Sequence, residues 1–86
     1  MTIQARDVLA GLGGGENTLE IEPYVARLRA KVADPTLVDP TGLRRSGCHG
    51  VVLRGQAVQL VVGPNAEALA TDIGGLARSY ARSNDR

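Results

Sequence analysis

A chain of 86 residues makes one small domain. Hydrophobic residues make up 43%, but Trp and Phe are absent and Tyr24 and Tyr80 are the only aromatics, so the core is built from Leu, Val, Ile and Ala without large anchors. Ten Lys and Arg against nine Asp and Glu leave a net charge of +1, which lacks the basic excess of a nucleic-acid binder, and two tyrosines offer no base-stacking surface.

The single cysteine, Cys48, excludes an internal disulfide and any multi-cysteine metal site, and no cofactor is expected. No apolar run follows a charged start, and no stretch approaches the roughly 20 apolar residues of a membrane span. The expectation is a cytoplasmic domain with no direct membrane insertion.

In chain order, Ala5, Val8, Leu9 and Leu12 recur at helical spacing and predict a short amphipathic helix over Thr2–Leu12, with Thr2 as its cap. Gly13, Gly14 and Gly15 stop it. A glycine run also suggests a phosphate loop, but no Lys-Ser/Thr follows and no strand precedes it, so Walker geometry is missing. Leu19 and Ile21 alternate with Glu20 and Glu22, the pattern of a half-buried strand that Pro23 closes or places at an edge. Ala26–Val32 reads as a second strand after a tight corner at Glu22–Ala26.

Asp39 before Pro40 forms an N-cap and first-turn pair, predicting a helix over Pro40–Ser46 with Gly47 as its stop. Gly50–Arg54 and Ala57–Val62 are β-branched runs separated by Gly55–Gln56, a two-residue type II′ hairpin signal. Ala66, Leu69, Ala70, Ile73, Leu76, Ala77 and Tyr80 then hold helical spacing, with Gly74 and Gly75 as weak points that suggest a close approach to another element. The polar run from Ser79 should fray. The order α-β-β-α-β-β-α predicts an α+β sandwich: a four-stranded, mainly antiparallel sheet with three helices covering one face. Residues 1–80 are expected to be a single domain and 81–86 a frayed tail.

Arg27 and Arg29 stand two residues apart on the second strand and point to one face, while Leu28, Ala30 and Val32 point to the core. Two guanidiniums beside a turn with free backbone N–H groups suit an oxyanion or phosphate. The alternative is a solvated face that carries Arg27, Arg29 and Lys31. Cys48 next to His49 invites a thiolate reading. Neighbours on an extended chain point to opposite faces, however, which favours a semi-buried thiol and a solvated or backbone-bonded imidazole.

Five segments carry a further reading: LAGLGGGEN (Leu9–Asn17), RLR (Arg27–Arg29), DPTLVD (Asp34–Asp39), GCHGVV (Gly47–Val52) and VQLVVGPNAE (Val58–Glu67). In their order and spacing they resemble the enzyme IIB domain of the glucose and N-acetylglucosamine family of the bacterial sugar phosphotransferase system. The resemblance covers about Ile3 to Tyr80 and implies the same sandwich. It also implies a phosphocarrier, in which a loop cysteine three residues before the first Arg of RLR takes a phosphoryl group from enzyme IIA and passes it to the sugar held by the membrane enzyme IIC. Arg27 and Arg29 match the arginines that serve this step.

The chain departs from the pattern at the acceptor. The family's C-I-T-R-L-R is here Tyr24-Val25-Ala26-Arg27-Leu28-Arg29, so Tyr24 takes the cysteine's position and Ala26 that of the threonine. Pro23 replaces the usual small residue and removes a backbone donor. Cys48 falls where the family usually has Ala, so it is not the nucleophile relocated within the motif. The resemblance thus implies a protein-phosphocysteine–sugar phosphotransferase component without its acceptor cysteine: a stand-alone binding or regulatory form. The candidate site is Tyr24, Arg27 and Arg29 with the loop residues Glu22, Pro23, Val25 and Ala26; the expected partners are enzyme IIA and enzyme IIC, or an unknown regulatory protein. The alternatives are a working phosphocarrier that uses Tyr24, His49 or Cys48, and a binder of small anions or phosphometabolites.

Overall fold

The computed structural model describes the backbone of residues 3–84 and the side chains of residues 3–77. The order is α1 (Ala5–Gly11), β1 (Thr18–Tyr24), β2 (Arg27–Val32), α2 (Pro40–Arg45), β3 (Gly50–Arg54), β4 (Ala57–Val61) and α3 (Ala66–Asn84). The strands form one antiparallel sheet in the order β1-β2-β4-β3. The helices lie on one face, as the alternation predicts, and the other face is open.

The sheet's inner face follows from period-two spacing. Leu28, Ala30 and Val32 of β2 and Val58 and Leu60 of β4 are buried, while Arg27, Arg29 and Lys31 are exposed. Val8, Leu9 and Leu12 from the α1 region, Leu43 from α2, and Ala66, Leu69, Ala70 and Ile73 from α3 close over that face.

Three expectations about these elements need correction. The first helix begins at Ala5, not Thr2, because Gln4 is extended (φ −93°, ψ 131°) and supplies no side-chain cap; Thr2 lies outside the described residues. Leu19 is not half-buried: a register shift between Thr18 and Glu20 turns it outward, leaving it 55% exposed. The first corner is tighter than Glu22–Ala26, since Glu22, Pro23 and Tyr24 are in β1, paired with Arg29, Leu28 and Arg27. Only Val25 and Ala26 form the turn. The last helix runs from Ala66 to Asn84.

The glycine run is a helix stop. The Gly13 amide donates to the Ala10 carbonyl (3.1 Å) and the Gly14 amide to that of Leu9 (2.9 Å), the bond pattern of a Schellman cap, with φ of 103° and 94° at the two glycines. Those amides are therefore committed to α1. A 3₁₀ turn at Pro35–Leu37, capped by Asp34, was not expected. α2 is capped as predicted, by an Asp39 carboxylate oxygen that accepts from the Gly42 amide at 3.0 Å.

Gly75 does not mark a close approach among the described residues, none of which comes within 4 Å of the place of a side chain there. Gly75→Ala should therefore stabilise the domain by about 0.5–1 kcal/mol, the helix-propensity difference. Urea unfolding checks this through a raised midpoint at unchanged slope.

Candidate functional site

The candidate site is the β1–β2 hairpin end and the open sheet face below it. A two-residue turn makes its flanking residues, Tyr24 and Arg27, a hydrogen-bonded pair. Pairing alternates from there, so Pro23 sits at a position whose nitrogen points away from β2. On an edge strand the missing N–H then removes no ladder bond.

Val25 takes the sharpest part of the turn at φ 58°, and it is the only non-glycine residue with positive φ among the described residues. For a β-branched side chain this is a strained conformation, costing about 1–3 kcal/mol. The turn is held from beneath, where the Ala26 carbonyl accepts from the Val62 amide (3.0 Å) and the Gly63 amide (2.9 Å) in the loop after β4. Val25 itself is 87% exposed and loses no packing if truncated. Val25→Gly should raise stability by about 1 kcal/mol and the melting temperature by roughly 4–8 °C, read by calorimetry; an unchanged or lower midpoint would contradict the strain.

The open face is ordered in cross-strand rows. One runs Tyr24–Arg27–Val61–Gly50, and the next Glu22–Arg29–Gln59–Val52. Tyr24 and Arg27 are thus side by side, and Arg29 lies two residues further along the same face, roughly 7 Å on. Arg29 is the cross-strand partner of Glu22, which places a carboxylate beside it on the same face. A third row, Glu20–Lys31–Ala57–Arg54, borders a shallow depression of about 470 Å³ whose lining includes Arg29, Lys31, Arg54 and Gln56. Gln59 and Val61 join the site through strand order, and only the period-two spacing of Val58–Val62 hints at them in sequence.

The other candidate nucleophiles lie elsewhere. Cys48 is 5% exposed and packed in the core, its Sγ 3.8 Å from the Ser46 hydroxyl. Burial raises its thiol above the ordinary 9.0, against a smaller opposite pull from that hydroxyl. The protonated thiol therefore favours the fold; this contribution is complete below pH 9 and is lost as pH rises through the raised native value. Ellman's reagent should modify Cys48 at least about 100-fold more slowly in the native protein than in urea, and fast native reaction would contradict the burial. His49 is exposed, just before β3. It lines a cleft of about 580 Å³ with Asp72, Val62 and Leu69, and stands three strands across from Tyr24, roughly 14 Å away. Tyr24, Arg27 and Arg29 come together; Cys48 and His49 do not join them.

Among the described residues, no group of three or more His, Cys, Asp or Glu is placed to hold a metal ion, and no helix is long and apolar enough to cross a membrane.

No family model matches the chain. It is 45% identical over 73 residues to the N-acetylglucosamine-specific EIIB component of the phosphotransferase system (PTS) of Streptomyces coelicolor, covering 85% of this chain and 95% of that one. It is also 45% identical over 67 residues to the N-acetylglucosamine-specific EIICB component of Bacillus subtilis, covering 77% of this chain and 15% of that protein. Among solved structures, one domain of the PTS IIabc component from Clostridium difficile shares the fold, with a TM-score of 0.69 at 18% identity, over 83% of this chain and 75% of that one. Sequence and fold agree: the chain belongs to the EIIB family of the sugar phosphotransferase system, of the glucose and N-acetylglucosamine type.

Proposed function

We propose that this domain keeps the EIIB scaffold and a docking surface around Glu22–Arg29, and acts as a binding or regulatory form with no thiol acceptor at that surface. One observation carries this reading: the chain's single cysteine, Cys48, is a core residue, and the residue beside Arg27 at the hairpin end is Tyr24. A phosphocysteine relay needs an exposed thiolate among cationic groups. Here the cationic groups are present and the thiol is elsewhere.

The partners in this reading are an enzyme IIA and a membrane enzyme IIC, or another regulatory protein. The Bacillus subtilis relative, named an EIICB component, supports pairing with an EIIC unit. Titrating the ¹⁵N-labelled domain with enzyme IIA should shift the amides of Glu22, Tyr24–Arg29, Val62 and Gly63 while leaving the mass of the domain unchanged. No shifts at saturating enzyme IIA would overturn the docking reading.

A second reading is favoured by the exposure of Tyr24, 58%, beside Arg27. In it the phenol oxygen accepts the phosphoryl group, losing its proton as the donor's bond to phosphorus breaks. The binding of a free phosphorylated metabolite is weaker, because Glu22 faces Arg29. Inorganic phosphate that leaves the Glu22–Arg29 amides unshifted would dispose of it.

A further inference from the structure

The sheet's two edges are treated differently. The β1 edge is protected by Pro23, by the register shift at Thr18/Glu20, and by the exposed carboxylates Glu20 and Glu22. The β3 edge, Gly50–Arg54, has no proline, no lysine and no register shift against β4, and among the described residues no strand lies beyond it. It carries Val52 (48% exposed), Leu53 (40% exposed) and the half-buried Val51. From these features we infer that the β3 edge pairs antiparallel with the β3 edge of a second copy, joining two sheets into one.

The register follows from parity. The two-residue turn at Gly55–Gln56 makes Arg54 and Ala57 a hydrogen-bonded pair, so Val52 and Gly50 also direct their backbone groups toward β4. Val51 and Leu53 direct theirs outward. Two antiparallel copies centred on Val52 set Val51 of each opposite Leu53 of the other. Both outward N–H groups and both outward carbonyls of each copy are then satisfied. In the same register Val52 meets Val52 on the open face, and Val51 packs on Leu53 on the helix side.

Charge supports this register over its neighbours. Arg54 is the only charged residue of the strand, and it falls opposite Gly50 of the second copy, about four residues, or roughly 13 Å, from the other Arg54. Registers shifted toward the turn bring the two guanidiniums together. A five-residue edge buries far less than the roughly 1,200–2,000 Å² of a stable interface, so the dissociation constant is on the order of 0.1–1 mM. β1 lies at the opposite edge, so pairing leaves both Tyr24 turns free.

Amide hydrogen exchange across a concentration series tests this directly. Between about 0.02 and 2 mM protein, the Val51 and Leu53 amides should slow roughly two- to fivefold, while Val52, already bonded to β4, stays unchanged. Val52→Lys, at an exposed position, should abolish the dependence by setting like charges face to face, and Val52→Thr should keep it. Exchange of Val51 and Leu53 that ignores concentration, protection that grows at β1 instead, or a Val52→Lys variant that behaves as the parent would each overturn the proposal.

Discussion

A Tyr24→Cys variant takes up a phosphoryl group from phosphorylated enzyme IIA under conditions in which the parent domain stays unlabelled. The expectation rests on position. Residue 24 ends β1, is 58% exposed, and pairs with Arg27, with Arg29 further along the same face. A thiol placed there meets the cationic surroundings that favour a thiolate, whereas the thiol of Cys48 is buried and held protonated. The substitution is at an exposed strand end, so its effect on stability should stay within about 1 kcal/mol. The variant should be labelled fully in a time over which the parent gains no phosphoryl mass, because a thiolate is a far better nucleophile than a protonated phenol. Adding Ala26→Thr restores a hydroxyl to the turn and should raise the rate further. Should Tyr24→Cys stay unlabelled while the Streptomyces coelicolor EIIB component is labelled in the same relay, the departure from the family lies in docking and not in the acceptor.

Asn17→Ala should be among the most destabilising single changes outside the apolar core, at roughly 2–4 kcal/mol. Asn17 is 4% exposed. Its Nδ2 donates to the Leu12 carbonyl at 2.8 Å and to the Asp34 carbonyl at 3.0 Å, and its Oδ1 accepts from the Asp34 amide at 2.7 Å. One amide thus ties the end of α1 to the start of the Asp34 loop, and alanine leaves the Leu12 carbonyl and the Asp34 amide without a partner, while the Asp34 carbonyl keeps only the Leu37 amide at 3.2 Å. In a domain this small the loss should lower the melting temperature by roughly 10–25 °C. Asn17→Asp should be no better, because it sets a carboxylate against two carbonyls. Urea unfolding decides the matter: a loss below about 1 kcal/mol would mean that water replaces the clamp.

Local regularity was legible in the chain. The alternation of Arg27–Val32 places its arginines outside and Leu28, Ala30 and Val32 inside, as the structure does. Asp39 caps α2, Gly55 turns the second hairpin, and Ala66 to Ile73 form the buried stripe of α3. Features set by tertiary context were not legible. Val25 has no turn signature, yet it adopts positive φ because the ladder and the Val62 and Gly63 amides fix both ends of the turn. Leu19 looks like a core residue until the register shift reverses it. Asn17 and Asp34 meet across 17 residues, a contact that no local pattern encodes. At the site, the arginine pair could be read from spacing, but the opposition of Glu22 to Arg29 and of Tyr24 to Arg27 required the register.

We propose that this EIIB domain carries no phospho-acceptor. The most direct test is a complete phosphoryl relay, from phosphoenolpyruvate through the general phosphotransferase proteins and enzyme IIA to the unmodified domain, read by intact-protein mass. The Streptomyces coelicolor EIIB component serves as the labelled control. The control should gain a phosphoryl mass and this domain should not. A stoichiometric phosphoryl mass on this domain, mapped by fragmentation to Tyr24, His49 or Cys48, would contradict it and establish a working carrier with a different acceptor.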